Sequence, residues 1–136
     1  MASTIIPTLR YRDAKTMIAW LCDTFGFERH AIHESENGGI VHAELVYGDG
    51  MVMLGDARDD AFGSLQAPPA GDRPVSQSPY VVVKDVEQLY AAARAAGATI
   101  VMDLRDQSYG SREFSCRDPE GHLWNFGTYN PWKVGE

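Results

Sequence analysis

No stretch of this sequence approaches the roughly 20 consecutive apolar residues that a membrane-crossing helix needs, so no membrane partner is expected. Basic charge is scarce. The 12 Lys and Arg face 19 Asp and Glu, a net charge of −7. A duplex nucleic-acid binder needs a basic face, and so does a protein drawn to an anionic membrane. Neither partner is therefore expected. Cysteine is almost absent: Cys22 and Cys116 are too few for a disulfide framework. The opening residues MASTIIPTLRYRD lack the basic segment, apolar core and cleavage pattern of a secretory signal. A reducing cytoplasm is the expected compartment. What is present is ordinary for a folded domain: 136 residues, 44% hydrophobic and 23% charged.

The most informative stretch is 111–129, SREFSCRDPEGHLWNFGTY. Asp118-Pro119-Glu120-Gly121 is a tight turn, because proline sets φ and glycine accepts positive φ. Before it, Phe114 and Cys116 alternate with Glu113, Ser115 and Arg117. After it come Leu123, Trp124, Asn125 and Phe126. This predicts a β-hairpin with one packed face and one polar face.

Taken in order, Ile5–Arg12 reads as a strand, and Pro7, which lacks a donor, means that it lies at a sheet edge or pairs around that point. Asp13 caps a helix whose apolar face is Ala14, Met17, Ile18, Leu21 and Phe25, ended by Gly26. Phe27–His33 is a short strand and 34–39 a turn. Ile40–Tyr47 is a strand with Val41, Ala43 and Leu45 on one face and His42, Glu44 and Val46 on the other. Gly48-Asp49-Gly50 turns the chain into a strand at 51–54. Residues 55–78 hold Pro68, Pro69 and Pro74 with few apolar anchors, a long connection between two halves. Tyr80–Lys84 is a strand. Asp85 caps a second helix, with Val86, Leu89, Tyr90 and Ala93 on its apolar face and Gly97 as its stop. Ala98–Leu104 is a strand, 105–110 a turn, and 130–136 a tail.

The halves repeat. Asp13, helix and Gly26 parallel Asp85, helix and Gly97; Gly50 parallels Gly121, at an offset slipping from 72 to 71. Each half reads strand–helix–strand–strand–strand. The expected fold class is α+β. Two βαβββ modules, about 4–55 and 79–129, are joined by loop 56–78. They form one domain with a curved mixed β-sheet around a concave cavity, helices on the convex face.

At Leu9-Arg10-Tyr11-Arg12-Asp13, Phe25-Gly26-Phe27, Gly48-Asp49-Gly50 and Arg117-Asp118-Pro119-Glu120-Gly121-His122, the sequence resembles the vicinal oxygen chelate superfamily. This is the glyoxalase, bleomycin-resistance and extradiol dioxygenase group. The likeness runs through nearly the whole chain. It implies the paired βαβββ fold and a homodimer, as is frequent in the family. It also implies a divalent metal in catalytic members. Their ligands lie seven residues before the capping aspartate, here Ile6 and Ser78, and four after the turn glycine, here Leu54 and Asn125. A shift by one residue would bring in Met53, Trp124 or Phe126. None of these suits a catalytic ion, which takes His or carboxylate donors. No metal and no cofactor are expected, and the likeness is better to metal-free members such as bleomycin-sequestering proteins.

The expected role is therefore a protein that binds or sequesters a small organic ligand in the cavity. Its candidate contacts are Thr8, Arg10, His42, Glu44, Tyr80, Arg112, Glu113 and Asn125. Arg10 can receive an anionic group. His42 and Glu44 share a strand face, which suits acid–base work as well as hydrogen bonding, and equally suits a solvated ion pair. Glu113 and Ser115 are their counterparts in the second half. His30 and His33, three apart on a strand end, are expected to face opposite ways and stay solvated. Trp124 and Phe126 are expected in the core, with Tyr109 in the core or at its rim. Net acidity favours a cationic or neutral ligand. An enzyme of the same superfamily working through His42 and Glu44 is the alternative. An interaction module with a closed trough is a third.

Overall fold

Both helices start on the same device. The Asp13 carboxylate accepts the Thr16 N–H at 3.2 Å and the Thr16 hydroxyl at 2.7 Å. Asp85 accepts the Gln88 N–H at 3.1 Å. Each thereby satisfies a donor that the first helical turn leaves unpaired. The two helices, α1 (Ala14–Phe25) and α2 (Val86–Ala95), end differently. Gly26, at φ 86°, closes α1 with one bond from its N–H to Cys22 O. In α2 the cap is Ala96, one residue before the expected stop. Gly97 N–H then bonds Arg94 O while Ala98 N–H bonds Ala93 O, the paired closure that a left-handed glycine permits.

The computed structural model describes residues 2–133. These form two compact units, one ending at Ala70 and the other starting at Gly71. The first holds β1 (Thr8–Tyr11), β2 (Glu28–Glu34), β3 (Ile40–Tyr47) and β4 (Gly50–Asp56), in the order β1-β4-β3-β2. The second holds β5 (Tyr80–Val82), β6 (Thr99–Asp106), β7 (Arg112–Arg117) and β8 (Leu123–Gly127), in the order β5-β8-β7-β6. In each sheet the first and last strands pair parallel and the other pairs are antiparallel. The chain is thus α+β, built from two βαβββ modules with one four-stranded mixed sheet each.

Register sorts side chains onto faces. Leu9, Leu54 and Ala43 lie in one row, and Val52 and Leu45 in the next. All are buried, together with Ala14, Met17, Ile18, Leu21 and Phe25 of α1. In the second unit Phe114, Cys116, Trp124 and Phe126 are buried with Val86, Leu89 and Ala93 of α2. Phe114 stacks on Phe126, and Tyr90 of α2 meets Phe114 edge-on at 5.1 Å. Both helix faces and the core role of Trp124 and Phe126 follow the sequence reading. Asp118 is also buried. Its carboxylate accepts the Glu120 and His122 N–H groups and the Trp124 indole N–H, each at 3.0 Å. The turn aspartate is therefore an anchor for the core tryptophan as well as a turn former.

Several expectations change. The first strand begins at Thr8 rather than Ile5. The fifth stops at Val82, and the strand expected to end at Leu104 runs to Asp106. Val41 is 47% exposed, not packed, because pairing slips between His33↔His42 and Glu34↔Ile40. The bulge at Val41 reverses parity, and Ile40 takes the buried place. Gly50 and Gly121 are not counterparts in the ladders. Cys116↔Trp124 matches Leu45↔Val52, so the offset is 71 on β7 but 72 on β8. The second hairpin loop holds one more residue. Asn125 therefore corresponds to Met53, and Leu54 belongs to the core. Residues 131–133 form a 3-10 turn; positions 134–136 of the expected tail lie outside the described residues.

Candidate functional site

Each sheet has a face turned away from its helix. In the first unit this face carries Thr8, Met53 and Glu44 in one row, with Arg10 and Gly55 in the next. A second bulge, between Arg29 and Ala31, re-aims His30. His30 and His33 consequently do not diverge as expected; both lie near Glu44. His42 Nε2 sits 2.9 Å from Glu44 Oε2 and His30 Nε2 is 3.9 Å from Oε1. The His33 and His42 rings stack at 5.9 Å. The hydrogen bond from His42 is the main reason the Glu44 carboxyl is held below its ordinary pKa. A pocket of about 380 Å³ adjoins this cluster, lined by Ile6, His30, Val46, Asp49 and Met51 among others.

Residues 58–70 return along β1 as a strap. Gln66 donates to Thr8 O at 2.8 Å, and the Thr8 hydroxyl donates to Gln66 Oε1 at 3.3 Å. The Arg10 guanidinium lies 5.1 Å from the Phe62 ring centroid, and Arg12 donates to Pro69 O at 2.5 Å. Burial, helped by nearby Arg58, lowers the Arg10 pKa. Arg10 occupies space that a side chain at Gly55 would need. A Cβ there would lie 2.7 Å from Arg10 Nη1 and 2.7 Å from Val41 O.

In the second unit the corresponding row is Tyr80, Asn125 and Ser115, with Gly127 and Glu113 beside it. Asn125 Nδ2 donates to Ser78 Oγ at 2.8 Å and to Pro79 O at 3.0 Å. Its Oδ1 accepts the Ser115 hydroxyl at 2.7 Å. Glu113 receives the Tyr109 hydroxyl at 2.6 Å and the Tyr80 hydroxyl at 3.4 Å. Tyr80 also donates to Tyr129 O at 2.9 Å, and the Tyr109 and Tyr129 rings meet edge to face at 5.8 Å. The bond to Glu113 pushes the Tyr109 pKa up to about 12. Burial raises that of Tyr80. A Cβ on Gly127 would lie 2.5 Å from Tyr80 Oη and 2.6 Å from Glu113 Cγ, so glycine there is what lets the two side chains converge.

The structure thus brings Tyr80, Glu113 and Asn125 onto one face and Thr8, Arg10, His42 and Glu44 onto another. Arg112 stands apart. It faces α2, 2.9 Å from Glu87 and 3.9 Å from Asp106. Sequence reasoning paired His42 with Glu44 but passed over Gln66, Phe62 and the approach of His30 and His33, because bulges and loop returns carry no periodic signal. Tyr109, expected in the core or at its rim, is 59% exposed and so lies outside the core. Its position four residues before Glu113, across the Gly110 turn, was the available clue.

Two helix-backed, four-stranded modules in βαβββ order define the class of paired-module proteins to which this fold belongs. The model of the glyoxalase/bleomycin resistance protein/dioxygenase superfamily matches residues 5–126, and the chain belongs to that superfamily. An uncharacterised protein of Mycobacterium tuberculosis is 32% identical over 123 residues, 89% of this chain and 71% of that protein. The crystal structure of TioX from Micromonospora sp. ML1 is similar at TM-score 0.71 and 30% identity, covering 95% of this chain and all of that one. The fosfomycin resistance protein FosX of Listeria monocytogenes, solved with Mn(II) and sulfate, shares the fold at TM-score 0.70 and 11% identity, over 98% of this chain and 97% of that one.

The positions where the family likeness would place a metal do not fit one. Ser78 and Asn125 are neutral and bonded to each other. Ile6 is apolar, and the true counterpart of Asn125 is a methionine. A divalent ion needs anionic or imidazole donors at these points. Among the described residues, no three His, Cys, Asp or Glu side chains are grouped to hold a metal.

Proposed function

We propose that this chain is a metal-independent member of its superfamily that binds a small organic ligand on the helix-free faces of its two modules, roughly 4–55 and 79–129. Thr8, Arg10, His42, Glu44, Tyr80, Glu113 and Asn125 are the contacts, with Arg112 kept to an ion pair against α2. The observation that carries this reading is the Ser78–Asn125–Ser115 hydrogen-bond chain. It uses the amide as a neutral connector where a catalytic relative needs a ligand. The family likeness supports a homodimer as the acting form. Two cysteines without a disulfide suit a reducing cytoplasm.

The test is a fragment screen by ligand-observed NMR on chelator-treated protein. Hits should bind alike with and without added Zn(II) or Mn(II), and weaken when His42, Glu44 or Tyr80 is replaced by alanine. Stoichiometric Zn, Mn, Fe or Ni in freshly purified protein, with binding abolished by chelation, would refute it. One observation favours a second reading. His42, held 2.9 Å from the ionised Glu44 carboxylate near a pocket, is placed as an imidazole general base oriented by a carboxylate would be. On that reading His42→Ala or Glu44→Ala abolishes turnover of whatever the wild type consumes from a metabolite mixture. Equal turnover in both variants removes it.

A further inference from the structure

The reading above leaves the ligand's charge open. Resting on it, we infer that the helix-free face of the second unit recognises an organic cation, a quaternary or protonated amine, through Glu113 and the rings of Tyr80, Tyr109 and Tyr129. One Glu113 oxygen accepts the Tyr109 hydroxyl at 2.6 Å, and the Tyr80 hydroxyl, which gives its proton chiefly to Tyr129 O at 2.9 Å, lies 3.4 Å from the other. Such donors orient a carboxylate without cancelling its charge. Among the described residues no lysine or arginine forms an ion pair with Glu113. Arg105 is its cross-strand partner but makes no such bridge. The adjacent Arg112 is turned to Glu87 and Asp106.

The three tyrosine residues are between 38% and 59% exposed, so a ligand can reach them. Two of them already meet edge to face at 5.8 Å. A ring face attracts a cation through its quadrupole, and a nearby carboxylate adds a Coulomb term. The missing side chain at Gly127 leaves room that Tyr80 Oη and Glu113 Cγ fill, which brings this ring and the carboxylate together. One oriented anion among exposed rings is an arrangement for an alkylammonium group. A neutral apolar ligand would gain nothing from Glu113, and an anion would be repelled.

The probe is choline, with dimethylbutanol as its uncharged isostere. Each is titrated into the chelator-treated full chain while the ring resonances of Tyr80, Tyr109 and Tyr129 are followed by NMR. Choline should shift these rings saturably. Glu113→Gln should weaken it about tenfold, the scale of one desolvated cation contact. Arg105→Ala, which removes the neighbouring cation, should tighten it. Equal binding of dimethylbutanol, or choline binding unchanged in Glu113→Gln, overturns the inference. Should choline fail while a fragment hit still moves the same rings, the cation assignment falls and the binding face stands. Should nothing move them, both fall.

Discussion

Asp118→Ala is the sharpest test of how the second unit is held together. The carboxylate is 3% exposed and accepts three N–H groups at 3.0 Å. Two belong to the partly buried turn residues Glu120 and His122, where water can substitute in part. The third is the indole N–H of Trp124, whose side chain is fully buried. An unsatisfied buried donor costs about 2 kcal/mol, and each turn bond contributes about 0.5 kcal/mol. The expected loss is about 3 kcal/mol, which for a chain of this size lowers Tm by about 10 °C. Urea unfolding followed by tryptophan fluorescence, with scanning calorimetry, reads both numbers. Asp118→Asn should cost nearly as much, because its amide turns a donor toward one of the three N–H groups. Combined with Trp124→Phe, which has no indole donor, the alanine variant should show a coupling of about 1–2 kcal/mol. A loss below about 1 kcal/mol, or no coupling, would refute the anchoring role.

Asp56→Ala should destabilise the first unit by about 2 kcal/mol in urea, because its two oxygens hold the Ala14 N–H at 2.9 Å and the Ile40 N–H at 2.7 Å. Gly55→Ala and Gly127→Ala should differ. The first drives Cβ against backbone at Val41 O and should cost about 2–3 kcal/mol. The second meets side chains rather than backbone, Tyr80 Oη and Glu113 Cγ, which can turn aside, so stability should fall by less than in Gly55→Ala while the bond from Tyr80 to Glu113 is lost, visible in the Tyr80 ring resonances. Tyr109 should ionise near pH 12 in an ultraviolet titration and return toward the ordinary range of about 10 in Glu113→Gln. Its folded pKa is raised, so its contribution to stability is complete below about pH 10 and is lost as pH climbs through about 12. An unchanged titration in Glu113→Gln would show that the hydrogen bond is not the cause.

Much of the fold was legible because its signals are local. Asp13 and Asp85 cap, Gly26 and Gly97 stop, and the apolar spacing between them is helical. Each acts within a turn or two of chain. The repeat and Asp118-Pro119-Glu120-Gly121 were legible for the same reason. The faces of β7 and β8 followed from strict alternation, so Phe114, Cys116, Trp124 and Phe126 were placed in the core correctly. Alternation failed where a bulge intervened. Val41 and His30 each occupy an extra residue in a ladder, and a bulge is a property of two strands, invisible in either alone. The slip that moved the counterpart of Asn125 from Leu54 to Met53 has the same origin, one additional residue in a hairpin loop.

The sequence by itself determined that the chain is two βαβββ modules and that its last strand carries a neutral asparagine at the place where the family resemblance would put a metal ligand. Local preferences and residue chemistry suffice for that. Only the tertiary structure decided that this asparagine is spent on Ser78 and Ser115, that Arg112 faces α2 while Glu113 faces three tyrosines, and that 58–70 lies along β1. Those facts depend on contacts between residues far apart in the chain, which no spacing rule encodes.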